Sequence, residues 1–123
     1  MYTLDTNAII YYLDNDPAVV SVLDPIFAQD IAIFVSIVTE LELFSHPGLT
    51  AADIAELTQL LTSVVVFPLE SRLAQLASAL RRQYRLKTPD SVVAATAVLT
   101  RTTLVTRNIR DFQGIAGLSL LPI

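Results

Sequence analysis

Short uncharged runs rich in β-branched residues alternate along this chain with segments whose apolar residues fall at helical spacing. The runs lie at 2–4, 31–35, 64–67 and 103–106, with a further one at 118–121. Helical patterns fill the intervals at 6–13, 18–28, 39–44, after Thr50, and from Leu73 to Tyr84. Ile54, Leu57 and Leu61 share a face in one of them, and Leu73, Leu76, Ala77, Leu80 and Tyr84 in another. Thr88-Pro89 reads as an N-cap followed by a first-turn proline. In the helix it opens, Val92, Ala95, Thr96 and Leu99 mark a buried side, and Ala94, Ala95 and Ala97 permit close approach to a sheet. Uncharged strands separated by helices imply an α/β fold: a central parallel sheet of four to five strands with helices on both faces. A chain of 123 residues suits one such domain, spanning 1–123.

Composition removes several kinds of chemistry. Cysteine is absent and His46 is the lone histidine, so thiolate and histidine-rich metal sites and cysteine nucleophiles are excluded. The chain is 53% hydrophobic with a mean hydropathy of +0.56, yet no apolar run nears the roughly 18–20 residues of a membrane helix. No basic start precedes an apolar stretch, so no secretion signal is expected. Together these features suggest a cytoplasmic protein without membrane contact. The net charge of −4 hides a split: residues 1–71 hold ten acids and no Lys or Arg, whereas 72–123 hold all eight bases and two acids. Such asymmetry suggests two surfaces with different partners.

Those two late acids and two of the early ones draw the attention. Asp5 directly follows the first strand, where open α/β sheets bind ligands. Glu42 comes a short helical turn after the second. Asp90 lies in the first turn of its helix, and Asp111 follows the fourth strand. Carboxylates brought to one pocket repel each other unless a cation neutralises them, and oxygen-only donors select hard ions such as Mg2+ or Mn2+. Each acid also has a purely structural role open to it. Asp5 can cap a helix, Asp90 can favour a helix dipole by about 0.3–1 kcal/mol, and Asp111 can shape a turn. Glu42 can be a solvated helix residue, with Glu40 as its rival for any role.

Four segments, taken together, resemble the PIN-domain nucleases and, more narrowly, the VapC-type toxins of toxin–antitoxin pairs. They are Leu4-Asp5-Thr6-Asn7, Ser36-Ile37-Val38-Thr39-Glu40-Leu41-Glu42-Leu43, Thr88-Pro89-Asp90-Ser91-Val92-Val93-Ala94-Ala95-Thr96-Ala97, and Leu104-Val105-Thr106-Arg107-Asn108 with Asp111-Phe112. The resemblance spans nearly the whole chain. It implies a single PIN-like domain with Asp5, Glu42 and Asp90 as acids of the site. One common form of the fourth segment has aspartate where this chain has Asn108. The fourth role then passes to Asp111, with Asn108 as a contact to water or to a metal-bound water. Thr6 and Thr106 are candidates to orient carboxylates.

The resemblance further implies metal-dependent hydrolysis of RNA phosphodiester bonds, with Mg2+ or Mn2+ held by Asp5, Asp90, Asp111 and Glu42. It implies a small basic antitoxin as a partner, and a homodimer is expected. Candidate contacts to RNA phosphates are Arg81, Arg82, Arg85, Lys87, Arg107 and Arg110. Two other classes compete. One is a catalytically weak interaction module of the same fold with no toxin role. The other is an aspartate-nucleophile phosphatase, disfavoured because position 7 is Asn7 rather than a second aspartate.

Overall fold

A computed structural model describes residues 1–123. The uncharged runs do assemble into one parallel sheet, with Tyr2–Leu4 (β1) at its centre. Ile33–Ser36 (β2) and Val65–Phe67 (β3) extend the sheet on one side, Thr103–Thr106 (β4) and Ser119–Pro122 (β5) on the other, in the order β3-β2-β1-β4-β5. Leu4 sits opposite Val35 and Val105, so the ends of the three central strands are level. The chain leaves β1 toward β2 and later returns to β4 on its other flank. The crevice where the strand order reverses therefore opens at the carboxyl ends of β1 and β4.

Two apolar cores cover the two faces. Helices Thr6–Leu13 (α1), Pro17–Phe27 (α2), Ile37–Phe44 (α3) and Ala51–Leu61 (α4) contribute Ile9, Val19, Leu23, Leu43 and Leu57 to a core against Leu4, Val35 and Val105. Helices Ser71–Tyr84 (α5) and Thr88–Thr100 (α6) pack Leu73, Ala77, Leu80, Val93 and Ala94 with Leu104 and Phe112. Adjacent residues Leu104 and Val105 enter opposite cores, as the strand period of two requires. Residues 91–97 of α6 are buried on every side, which the small side chains of Ala94, Ala95 and Ala97 make possible; Leu99, expected on the buried side, is half-buried.

Several boundaries differ from the sequence expectation. The strand expected from residue 31 begins at Ile33 and runs on through Ser36, whose hydroxyl caps α3 by accepting from the Val38 amide. Helix α2 starts at Pro17 because Asp16 accepts from the Ala18 and Val19 amides. Thr88 is not the N-cap of α6: the Ser91 amide donates to the Lys87 carbonyl, so Lys87 holds that position and Thr88 is already helical. Ile54 is 45% exposed, leaving Leu57 to anchor α4. A single-turn helix at Ile109–Phe112 (α7) stands where only a turn was expected.

Candidate active site

Asp5 ends β1 at the reversal crevice and is 5% exposed. Its two carboxylate oxygens have separate partners. Its Oδ1 accepts from the Thr6 amide at 2.8 Å and so caps α1. Its Oδ2 accepts from the Thr106 hydroxyl at 2.8 Å across the β1–β4 pair. Thr106, at the end of β4, in turn accepts from the Asn108 amide at 2.9 Å. The two strand ends are thus tied through one buried carboxylate.

Glu42 is brought to the same place by the phase of α3. The Thr6 hydroxyl lies 2.8 Å from Glu42 Oε1 and 2.9 Å from the buried Thr39 hydroxyl. Thr39 and Glu42 are three residues apart on one helix face. Glu40 points elsewhere, into an apolar groove with Leu41, Phe44 and Leu69. Geometry therefore separates the two glutamates on the side that the resemblance implies, with Glu42 and not Glu40 beside Thr6. Asn108 and Asp111 form a pair, with Asn108 Nδ2 donating to Asp111 Oδ2 at 2.9 Å, because the turn of α7 puts position 111 back over position 108. Thr39 and Ser36 were not singled out from sequence; their spacing ahead of Glu42 is the signal that could have found them.

The electrostatics couple the acids. Burial raises the Asp90 carboxyl above its usual range, and the negative charges of Asp5, Asp111 and Glu42 raise it further, while Lys87 opposes them. Burial also raises Asp5; hydrogen bonds from Thr106 and Thr6 pull the other way, and Glu42 adds to the rise. The other three acids therefore act on Asp90 through space. Desolvation and like charge both disfavour ionisation, so a hard divalent cation suits this donor set. No three acidic or histidine side chains, as placed, surround a common point closely enough to hold an ion. Asp5 is locked in place, but Glu42 and Asp111 are exposed and free to close in by rotamer changes.

The basic candidates divide into three groups. Arg85, Lys87 and Arg110 line a cleft of about 240 Å³ that Asp90 and Asp111 also line. Arg81 and Arg82 lie exposed on the last turn of α5, outside that cleft. Arg107 is committed within the chain: it pairs with Asp16 at 3.2 Å, donates to the Ile123 carbonyl and covers the Tyr11 ring at 4.2 Å. His46 accepts from the Gly48 amide in the loop between α3 and α4.

The PIN domain family profile matches residues 2–118. No curated protein matches the chain in sequence. Among solved structures, a toxin-antitoxin complex from Klebsiella pneumoniae contains a chain 27% identical to this one, with a TM-score of 0.83 and 100% of both chains covered. A chain in the structure of VapBC-1 from nontypeable Haemophilus influenzae is 25% identical, with a TM-score of 0.78, covering 98% of this chain and 96% of that one. One in VapBC2 from Rickettsia felis, bound to a DNA fragment from their promoter, is 20% identical at a TM-score of 0.82, with 99% and 98% covered, a likeness of fold.

Proposed function

The chain belongs to the PIN-domain family, and from that premise we propose that it is a metal-dependent endoribonuclease acting as the toxin of a toxin–antitoxin pair. The observation that carries the enzymatic reading is that the charges of Asp5, Asp111 and Glu42 all bear on the carboxyl of the half-buried Asp90. Asp5, Asp90 and Asp111, with Glu42 completing the set, would hold Mg2+ or Mn2+. A bound ion there supplies Lewis acidity and the positive charge that carboxylates and a scissile phosphate both require. Thr106 and the Thr6 amide fix Asp5 in one orientation, and Thr6 steadies Glu42. Asn108 orients Asp111. No side-chain nucleophile is needed: water attacks phosphorus, the bond to the 3′ oxygen breaks, and the products carry a 5′-phosphate and a 3′-hydroxyl.

The partner reading rests on surface chemistry and on the company kept by the similar chains from Klebsiella and Haemophilus. A groove of about 360 Å³ runs between α1 and α4, with Leu13, Leu43 and Leu57 in its wall and Asp14, Asp53 and Glu56 around it. Glu42 lines it too, which joins it to the site. An apolar wall with acids around it suits a basic amphipathic segment. A second copy of the chain would cover the other apolar groove, at Leu41 and Leu69, exposed by 67% and 47%.

Two experiments test the proposal. Purified chain incubated with structured RNA and Mg2+ should yield 5′-phosphorylated fragments, and Asp5→Asn should yield none. Expression of the chain alone should arrest growth, with relief by Asp5→Ala or by co-expression of the neighbouring gene's product. Unimpeded growth with abundant folded wild-type chain and no inhibitor would remove the toxin role and leave the nuclease reading standing. One observation favours the rival interaction module: the acids, as placed, form no ready ion cage. Intact RNA in the first experiment, with Mg2+ present, would select that reading.

A further inference from the structure

Arg85, Lys87 and Arg110 share their cleft with Asp90 and Asp111, yet none of the three cationic side chains forms an ion pair or hydrogen bond within the chain. The only ion pair in the protein is Arg107 with Asp16. Oppositely charged groups thus line one small cleft without pairing directly, Lys87 acting on Asp90 only through space. The cleft also differs in sign from three other grooves. The groove between α1 and α4 carries Asp14, Glu42, Asp53 and Glu56, the groove beside Phe27 carries Glu56, and the one at Leu41 carries Glu40; none of these three has a Lys or Arg in its wall.

From this juxtaposition we infer that the Arg85–Lys87–Arg110 cleft is a subsite for a backbone phosphate of single-stranded RNA next to the phosphate that is cut. The inference rests on the ribonuclease reading above and specifies how its substrate is held. Three cations against two carboxylates leave the empty cleft weakly positive. A divalent ion on Asp90 and Asp111 cancels those carboxylates, and the cleft then attracts anions strongly. Substrate binding is therefore coupled to metal binding by charge alone. At about 240 Å³ the cleft is smaller than the roughly 300–1,000 Å³ of pockets that enclose drug-sized ligands, and it suits a phosphate with part of its sugar. The bases come from two separate elements: Arg85 and Lys87 from the junction of α5 with α6, Arg110 from α7. They grip one group from two sides, as phosphate-positioning contacts do. Arg81 and Arg82 stay outside and Arg107 is committed to Asp16, which narrows six candidate contacts to three.

The test is RNA binding by fluorescence anisotropy, with Ca2+ replacing Mg2+, over a range of salt concentrations. The double variant Arg85→Ala/Arg110→Ala should bind a single-stranded RNA at least about five- to tenfold more weakly than wild type. Its slope of log affinity against log salt should shrink by about 1. Arg72→Ala, which removes an exposed charge elsewhere on α5, should match wild type in both. Divalent-ion binding, followed by calorimetry, should persist in the double variant, showing that the carboxylate cluster survives. Inorganic phosphate should compete only weakly, since the scissile group contributes the rest of the hold. A double variant indistinguishable from Arg72→Ala, or a wild-type chain that does not bind RNA, would overturn the subsite. Competition by inorganic phosphate at the strength of RNA would overturn the backbone source. Because the readout is binding, absence of cleavage would count against the nuclease reading and leave this comparison intact.

Discussion

Thr106 carries more of the site than its size suggests. Its hydroxyl gives its proton to the buried Asp5 carboxylate and takes one from the Asn108 amide. Thr106→Val keeps the shape and strands both partners, so we predict a loss of about 1–3 kcal/mol in urea unfolding. Divalent-ion affinity should fall about 10–100-fold, read by calorimetry. A second prediction concerns pH. The folded pKa values of Asp5 and Asp90 are raised, so the stability these groups contribute is complete below their unfolded value. It is lost as pH rises through the folded value. In chelator, Asp90→Asn should therefore melt above wild type at pH 7, and the gap should narrow toward pH 4. Adding Mg2+ at pH 7 should raise the wild-type melting temperature more than the variant's. Equal gaps at both pH values would contradict the raised pKa. At this scale the sequence disclosed the acids through their positions after strands. Strand position alone leaves Glu40 a rival to Glu42, because the choice depends on the phase of an eight-residue helix against another helix; the family resemblance is what favours Glu42.

Among the elements, α6 is the most tightly constrained. It is buried on all sides over residues 91–97 and touches β1, β2, β4, α3 and α5. Its alanines Ala94, Ala95 and Ala97 are buried in the core it shares with α5. Ala94→Leu should cost about 1–3 kcal/mol by overpacking, measured by thermal or urea unfolding. Because Asp90 opens this helix, the same variant should also weaken ion binding. Long elements with a clear period were legible from sequence alone, and so were the five strands. What escaped was short or set by hydrogen bonds. The four-residue α7 has no period to read, yet it is what turns Asp111 back to Asn108. The exact start of α6 depends on a backbone bond to the Lys87 carbonyl, which no side-chain pattern encodes.

For the whole molecule, the split of charge along the sequence becomes a split in space. Residues up to 61 supply α1–α4 on one face of the sheet, and the later residues supply α5 and α6 on the other. The acids of the first part line grooves that suit a cationic partner, while three of the later bases line the cleft beside Asp90. Arg107 fastens the faces together, linking the turn before α2 to the carboxyl end of β4 and to Ile123. Its groups are partly exposed, so Arg107→Ala should cost only about 1 kcal/mol, and less at high salt. No helix is long and apolar enough to cross a membrane. If Asp5, Glu42, Asp90 and Asp111 form one metal-dependent cutting site for RNA, as proposed, cleavage must need both the ion and the acids. The rate of RNA cleavage against Mg2+ concentration, compared between wild type and Asp90→Asn, tests it most directly. Cleavage should be absent in chelator, rise saturably with Mg2+, and fall at least about a hundredfold in the variant. Cleavage that persists in chelator, or that Asp90→Asn retains at the wild-type rate, would contradict it.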